Sequence, residues 1–457
     1  MTLTLGGART PSPEPTFVER LDRVPLSSFH WRLLVIAGIG WMFDAMDVLM
    51  LGFLLTPIRN EFKLDASQIG LVASATFVGM FIGAAASGRL ADRYGRRSVF
   101  STTLVVFSAG ALLSAIAPSF GTLLAARVIA GVGLGGELPV ASTLVSELSP
   151  RASRGRLIVL LESFWAYGTI LAGIVAITVV ATYGWRWGFA VGALPALYVA
   201  YLRRALPESP RYLAEKGRAP EADAVVRRVE RAGGGALLTL APAVAPIRAG
   251  RTRITELWAS RYAKRTAMLW ILWFGVVLTY YGIFLWIPSI LAARGLSQVR
   301  GNEFFFLSTL AQVPGYFSAA WLVERWGRKP TLVTYLLGTA VTAFLFGNAG
   351  TGTDAFVWAA LLSFFNLGAW GVVYTWTPDL YPTAVRATGA GVAAAVGRVG
   401  GIIGPYLTPV LVPAIAESGT FAVFMVLLLI TAAAVALLGE ETRGRSLEEI
   451  APPAQAA

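Results

Sequence analysis

Apolar stretches long enough to cross a membrane recur along the whole of this 457-residue chain. A helix that rises 1.5 Å per residue needs about 20 mostly apolar residues to cross roughly 30 Å of hydrocarbon. The pattern therefore predicts an all-α polytopic membrane protein with twelve spans. The predicted spans are 32–55, 68–90, 98–118, 120–148, 157–182, 185–205, 266–293, 302–323, 331–349, 354–378, 387–413 and 417–439.

Polar segments divide these spans into two halves of six. A tail at 1–31 precedes the first half at 32–205, a linker at 206–265 separates it from the second half at 266–439, and a tail at 440–457 follows. Most of the 38 Lys and Arg residues lie in the tails, the linker and the loops after even-numbered spans. Because basic loops stay on the cytoplasmic side, we expect both termini and the linker in the cytoplasm.

The composition narrows the possible chemistry. Hydrophobic residues make up 56% of the chain and charged residues 14%, compared with about 45–50% and 25% in soluble proteins. With no Cys and a single His, the chain lacks the ligands of iron–sulfur, haem and His-based zinc sites. We expect no metal, no cofactor and no enzyme activity. The net charge of +12 follows from the basic loops, so no nucleic-acid partner is expected.

Two cytoplasmic segments of the first half return in the second half. The segment Gly88–Arg97 carries the pattern acid–Arg–x–Gly–Arg, and Leu322–Lys329 repeats that pattern 232 positions later. The same shift of 232 positions takes Glu147, at the end of the fourth span, to Asp379 at the end of the tenth, and it takes Arg154 to Arg386. Basic loops alone would explain the arginines but not the acid and the glycine in register. We therefore infer a duplicated six-span unit, as in many transporters.

The repeated loops resemble the signature loop of the major facilitator superfamily, and the resemblance extends over essentially the whole chain. It implies two pseudo-symmetric six-helix halves that rock about a central site, so that the site opens alternately to each side of the membrane. Because both halves lie in one chain, a single chain is expected to be sufficient for transport. Segments Pro207–Leu213 and Glu441–Glu449 resemble the sugar-porter-related branch. The seventh span, around Leu278–Pro288, lacks the Gln-rich pattern of sugar porters and so does not favour a hexose.

Three further segments, Gly40–Asp47, Gly135–Val140 and Leu161–Trp165, look closer to bacterial nicotinate transporters. That group is similar in turn to aromatic-acid/proton symporters and to animal organic-ion carriers. The resemblance also implies an inner gate of ion pairs between helices. Exposed pairs contribute under about 1 kcal/mol each, which suits a latch that opens in every cycle. The expected gate residues are Asp92, Arg93, Arg96, Glu147, Arg154, Glu324, Arg325, Arg328, Asp379 and Arg386.

Ionisable residues inside the spans are candidates for function, because a charge at the bilayer centre costs about 2.5–3.5 kcal/mol on insertion scales. Asp44 lies roughly 18 Å along the first helix, and Asp47 follows on the same face. Two such carboxylates cannot both ionise cheaply, so at least one is expected to hold a coupling proton. Substrate contact, cation binding and a structural network are the alternatives. Glu137 and Arg127, in the fourth span, complete the proposed proton-coupling set.

Arg398, in the eleventh span, is the expected receptor for a substrate carboxylate, which its planar fork can bind through two hydrogen bonds. The alternative is an internal ion pair with Asp44, Asp47 or Glu137. Aromatic residues are dense in the neighbouring spans and suit a flat ring. The expected substrate-binding residues are Arg398, Asp44, Asp47, Glu162, Trp165, Tyr167, Tyr280, Tyr281, Trp286, Trp370, Tyr374 and Trp376.

These residues predict a secondary active transporter in a lipid bilayer, by expectation the inner membrane of a bacterium. Its expected substrate is a small aromatic or heterocyclic monocarboxylate such as nicotinate, moved by alternating access in symport with protons. Other organic ions, sugars, and efflux instead of uptake remain open. A membrane receptor or a channel is the alternative outside transport.

Overall fold

The computed structural model describes residues 17–234, 254–294, 297–381 and 383–443, which are almost entirely helical. The first half and the start of the linker contain α1 Phe17–Arg23, α2 Ser28–Phe62, α3 Ala66–Tyr94, α4 Arg96–Ala115, α5 Phe120–Leu148, α6 Arg151–Val175, α7 Ala181–Tyr183, α8 Trp185–Val191, α9 Pro195–Ala205, α10 Pro210–Glu215 and α11 Ala219–Ala232. The second half contains α12 Ser260–Phe284, α13 Ile287–Ala293, α14 Gln298–Thr309, α15 Gln312–Arg325, α16 Arg328–Gly347, α17 Gly352–Asp379 and α18 Thr383–Leu438.

The helix starts confirm the duplication, because five helices of each half begin 232 residues apart. The paired starts are Ser28 and Ser260, Ala66 and Gln298, Arg96 and Arg328, Phe120 and Gly352, and Arg151 and Thr383. Several of these starts are fixed locally by capping side chains. Asp65 accepts a hydrogen bond from the Gln68 amide at 2.8 Å, and Thr351 accepts one from the Asp354 amide at 3.1 Å. Such caps contribute about 1 kcal/mol each.

Within the described ranges, nine continuous helical segments are long and apolar enough to cross a membrane. They correspond to the twelve predicted spans once three differences are included. The sixth span is broken between α8 and α9, where Pro195 opens the second piece, and the eighth is broken between α14 and α15. The eleventh and twelfth spans run together as α18, interrupted by non-helical backbone at Ile415 and Ala416.

The helices of the first half pack closely through small residues. A side chain at Gly79 or Gly83 of α3 would collide with the backbone of α5, and one at Gly131 or Gly135 of α5 would collide with the backbone of α3. Close backbone approach of this kind is typical of membrane helices. Lipid provides no hydrophobic driving force between them, so they associate by van der Waals packing, which small residues permit. The α3–α5 pair is therefore a rigid element beside the interface between the halves.

Hydrogen bonds join the two halves at mid-height and toward one end. Thr56 donates to Ser289 at 2.9 Å, and the hydroxyls of Ser67 and Tyr406 lie 3.0 Å apart. These contacts lie at the end opposite the repeated acid–Arg–x–Gly–Arg loops. We call the end that carries those loops the basic end.

Candidate functional site

A cavity lies between the halves. Three of its lining residues come from the first half, on α2 and α6, and the other ten come from α12, α15, α17 and α18 of the second half. The lining residues are Trp41, Glu162, Trp165, Trp273, Val277, Tyr280, Tyr281, Tyr316, Leu367, Trp370, Tyr374, Ala394 and Arg398. The structure thus brings together seven of the twelve predicted substrate-binding residues.

The aromatic walls of the cavity stand at steep angles to each other. The rings of Tyr280 and Trp370 are 5.9 Å apart at 79°, whereas Trp370 and Tyr374 stack at 29°. The Trp165 indole donates a hydrogen bond to the Tyr280 hydroxyl at 2.9 Å, which fixes the two walls relative to each other. Such walls offer both faces and edges to a flat ring.

Polar groups along these walls remain available to a ligand. Among the described residues, no acceptor pairs with the buried indole N–H of Trp41 or of Trp370. Both side chains line the cavity. Because an unpaired buried donor costs about 1–3 kcal/mol, a ligand with acceptor oxygens would gain binding energy at this position.

Arg398 supplies the positive charge of the cavity. Its guanidinium lies beside the Tyr281 hydroxyl and 3.9 Å from the Met80 sulfur. In the part of the chain that the structure describes, no carboxylate oxygen comes within 4.0 Å of it. The alternative of an internal ion pair with Asp44, Asp47 or Glu137 is therefore not what this structure contains.

Asp47 forms an ion pair with Arg127 and does not line the cavity. The Arg127 guanidinium donates to both Asp47 oxygens, at 3.2 and 2.5 Å, and to the Thr76 hydroxyl at 3.1 Å. Both charged side chains are essentially inaccessible to solvent, and the Phe189 ring covers the guanidinium at 4.8 Å. The structure places Asp47 outside the cavity lining, in a closed ion pair that bridges α2 and α5.

Asp44 faces Glu137, and the two carboxyl groups interact directly. Both side chains are fully buried, and none of their four oxygens meets a hydrogen-bond donor among the described residues. Gly40 makes room for this contact, since a Cβ there would collide with the Glu137 carboxyl group. Two carboxylates have no proton to donate to each other, so a hydrogen bond between them requires that one be protonated.

This arrangement differs from the expectation that Asp44 and Asp47 are the two neighbouring carboxylates that cannot both ionise, at least one of which holds a coupling proton. The three-residue spacing correctly placed Asp44 and Asp47 on one face of α2, but each pairs with a different residue of α5. Asp47 meets Arg127, and Asp44 meets Glu137. Helical spacing alone does not show which residue a neighbouring helix presents.

Three predicted aromatic residues lie outside the cavity lining. Tyr167 is 47% exposed, Trp286 donates to the Pro405 carbonyl at 3.0 Å, and Trp376 is buried against Gly439. Conversely, six lining residues were not predicted: the aromatic Trp41, Trp273 and Tyr316, and the aliphatic Val277, Leu367 and Ala394. A signal for one of them existed: Trp273, Val277 and Tyr280 recur at helical spacing and share a face of α12.

The predicted gate residues form ion pairs between helices of the same half. Arg96 contacts Asp92 at 3.0 Å and Glu147 at 3.3 Å, and Arg328 contacts Asp379 at 3.5 Å. Arg154 lies 3.8 Å from Asp22 of the N-terminal segment. Three other gate residues, Arg93, Glu324 and Arg325, are solvent-exposed, and the side chain of Arg386 lies outside the described residues.

Two glutamates at the basic end were not predicted to have a role. Glu208 accepts hydrogen bonds from the Arg96 and Arg97 amides at 2.8 and 3.1 Å, which begin α4. Glu441 does the same for the Arg328 and Lys329 amides that begin α16. A carboxylate at a helix N-terminus satisfies free amides and complements the helix dipole. Their position shortly after the sixth and twelfth spans was the available signal.

The profile of the family described as "Sugar (and other) transporter" matches residues 29–453. This chain belongs to that family. The transporter is 46% identical over 436 residues to "Niacin transporter NiaP" of Acinetobacter baylyi, which covers 95% of this chain and 99% of that protein. It is 44% identical to "Putative niacin/nicotinamide transporter NiaP" of Bacillus subtilis, over 91% of this chain and 98% of that protein.

Solved structures show the fold of the transporter. A partially occluded inward-open conformation of the xylose transporter XylE from E. coli superposes with a TM-score of 0.76 at 19% identity, over 92% of this chain and all of that one. The same protein bound to 6-bromo-6-deoxy-D-glucose gives a TM-score of 0.72 at 20% identity, over 93% of this chain and 98% of that one. The transporter is therefore a multi-pass membrane protein with the twelve-helix major facilitator fold, as the sequence predicted.

Proposed function

We propose that this transporter moves nicotinate, or a closely similar aromatic monocarboxylate, into the cell by alternating access. The observation that supports the proposal is the cavity itself, in which Arg398 stands without a carboxylate partner among angled aromatic walls. A guanidinium binds a carboxylate through two parallel hydrogen bonds, and the aromatic walls suit a ring. The two relatives named for niacin transport point to the same substrate class.

Proton symport is the second part of the proposal. The Asp44–Glu137 pair lies off the cavity, fully buried. One proton held between these carboxyls neutralises the pair in part, and its loss leaves two buried charges that repel each other. Protonation from the outer side would favour the loaded carrier, and deprotonation on the inner side would favour release.

The proposed orientation places the basic end in the cytoplasm, with both termini on that side of a bacterial inner membrane. In that orientation, the hydrogen bonds Thr56–Ser289 and Ser67–Tyr406 join the halves on the outer side. Both six-span halves lie in one chain, which supports a functional monomer.

The test is uptake of labelled nicotinate into proteoliposomes with and without an inward proton gradient. We expect accumulation only with the gradient, and competition by nicotinate that exceeds competition by nicotinamide, because the amide carries no charge for Arg398. Uptake without accumulation would contradict symport. No uptake by folded protein would exclude nicotinate as the substrate.

Arg398→Ala and Arg398→Lys test the carboxylate receptor. Removing one partner of a buried charge pair costs about 2 kcal/mol or more, so we expect Arg398→Ala to weaken nicotinate binding at least about 30-fold. Lys keeps the charge but not the planar fork, and an intermediate loss is expected. Direct binding to purified protein measures both, and unchanged affinity in Arg398→Ala would refute the assignment.

A further inference from the structure

We propose that Glu162 recognises the ring nitrogen of the substrate, and that this contact makes the site selective for pyridine carboxylates over benzoates. The inference rests on the proposed function and deepens it. It assigns to one carboxyl group the discrimination between two rings of nearly identical shape.

Glu162 is a buried acid that faces the cavity. Its side chain is 94% buried, with 6% exposed, and it lines the cavity together with Arg398. Among the described residues, it makes no hydrogen bond and no ion pair within 4.0 Å. An acid buried at membrane depth without a partner is costly, and a ligand in the cavity would supply the missing partner.

Glu162 and Arg398 are matched to two ends of one small molecule. They interact electrostatically across the cavity but are too far apart to form an ion pair. Because Glu162 and Arg398 both line the cavity without contacting each other, a ring whose carboxylate is bound at Arg398 can extend toward Glu162. In nicotinate the ring nitrogen lies meta to the carboxylate, on the part of the ring that is free to meet Glu162.

The contact needs one proton. A neutral pyridine nitrogen only accepts a hydrogen bond, and an ionised carboxylate only accepts as well. A proton on the Glu162 carboxyl group can be donated to the nitrogen, or a pyridinium N–H can be donated to the carboxylate. In both cases the same proton lies between the same two atoms, and no covalent bond other than that to the proton changes. Benzoate presents a C–H at this position and leaves Glu162 without a partner.

The other polar groups near Glu162 are less suited to this role. The Tyr316 hydroxyl lies close to Glu162 but donates to the Val159 carbonyl at 3.0 Å. Asp44 and Glu137 face each other outside the cavity lining. The Tyr374 hydroxyl also lies near Glu162 and is a competing donor, as are the unpaired indole N–H groups of Trp41 and Trp370.

The experiment measures binding of labelled nicotinate to purified full-length protein, with displacement by benzoate, isonicotinate and N-methylnicotinate. A site built to hydrogen-bond a ring atom discriminates strongly against an analogue without that atom. We expect the wild type to bind nicotinate at least tenfold more tightly than benzoate. We expect N-methylnicotinate, whose nitrogen is blocked, to bind as weakly as benzoate, and isonicotinate, whose unblocked nitrogen lies para to the carboxylate, to compete more strongly than benzoate.

Glu162→Ala should reduce the nicotinate-to-benzoate preference to less than threefold, whereas Glu162→Gln, which keeps a donor amide, should retain most of it. A wild type that binds both acids equally overturns the inference without any variant and leaves the Arg398 site standing. A preference that survives Glu162→Ala, or that Tyr374→Phe abolishes instead, overturns it as well. Failure of the wild type to bind any ring acid would refute the proposed function itself.

Discussion

The two halves of the transporter share their helix starts but not their chemistry. Each ionisable residue that the first half buries in or beside the site has an uncharged counterpart 232 positions later. The pairs are Asp44 and Val276, Asp47 and Thr279, Arg127 and Ala359, Glu137 and Ala369, and Glu162 and Ala394. In the reverse direction, Arg398 of the second half corresponds to Ala166.

What the two copies retain is located at the basic end. The pattern acid–Arg–x–Gly–Arg is present twice, and so are the glutamates that cap the helices beginning at Arg96 and Arg328. The comparison shows that the two halves share the positions of their helices, whereas the ionisable residues of the site differ between them. The first half carries the acids, and the second half carries most of the aromatic walls and the cavity arginine.

The largest effect is expected at the carboxyl pair that only the first half has. Asp44→Asn removes one of the two carboxyl groups to which we assign the coupling proton but keeps an uncharged side chain of similar size, so gradient-driven accumulation of substrate should be lost. Exchange of substrate across the membrane without a gradient should persist, because the cavity lining is intact. Proteoliposome accumulation and counterflow assays measure the two quantities. Full accumulation by Asp44→Asn would show that the proton is carried elsewhere.

The closed ion pair of the first half is expected to act on stability instead of coupling. Arg127→Met leaves the buried Asp47 charge without its partner, which costs about 3–5 kcal/mol in the free energy of unfolding. The double variant Arg127→Met/Asp47→Leu removes both charges and should recover most of that loss. Unfolding of the purified variants in detergent measures the difference. Equal destabilisation of the single and double variants would contradict this assignment.

The smallest effect, and the one expected to be alike in both halves, concerns the caps. Glu208→Ala and Glu441→Ala each remove a carboxylate that binds two amides of a helix start, which should cost about 1 kcal/mol each. Glu208→Gln and Glu441→Gln keep an acceptor oxygen and serve as controls. Thermal unfolding midpoints would give the comparison. A large effect in one half alone would contradict the equivalence of the two caps.

The fold was largely predictable because span length and repeat register are encoded locally. The shift of 232 residues, found in loop sequences, also gives the starts of the buried helices. The breaks at Pro195 and between α14 and α15 were not predicted, because the apolar pattern continues through them, whereas the break at Ile415–Ala416 falls in the predicted gap between the eleventh and twelfth spans. Backbone geometry of this kind does not alter hydropathy.

The site was predictable in its residue types and less so in its pairings. Arg398, Glu162 and five of the aromatics line one cavity as expected, since polar groups inside spans are conspicuous. The partners of Asp44 and Asp47 depend on how α2 and α5 are rotated against each other. That rotation follows from packing between glycines and larger side chains, which a single sequence does not specify.

The capping glutamates have a consequence for how the protein is made. Glu208 binds amides 112 and 111 positions before it, and Glu441 binds amides 113 and 112 positions before it. The third span of each half can therefore enter the bilayer long before its first amides find their acceptor. A nascent chain arrested ahead of residue 208 already holds six spans, yet its basic end is unfinished. Each half is completed by a residue synthesised after its last membrane helix.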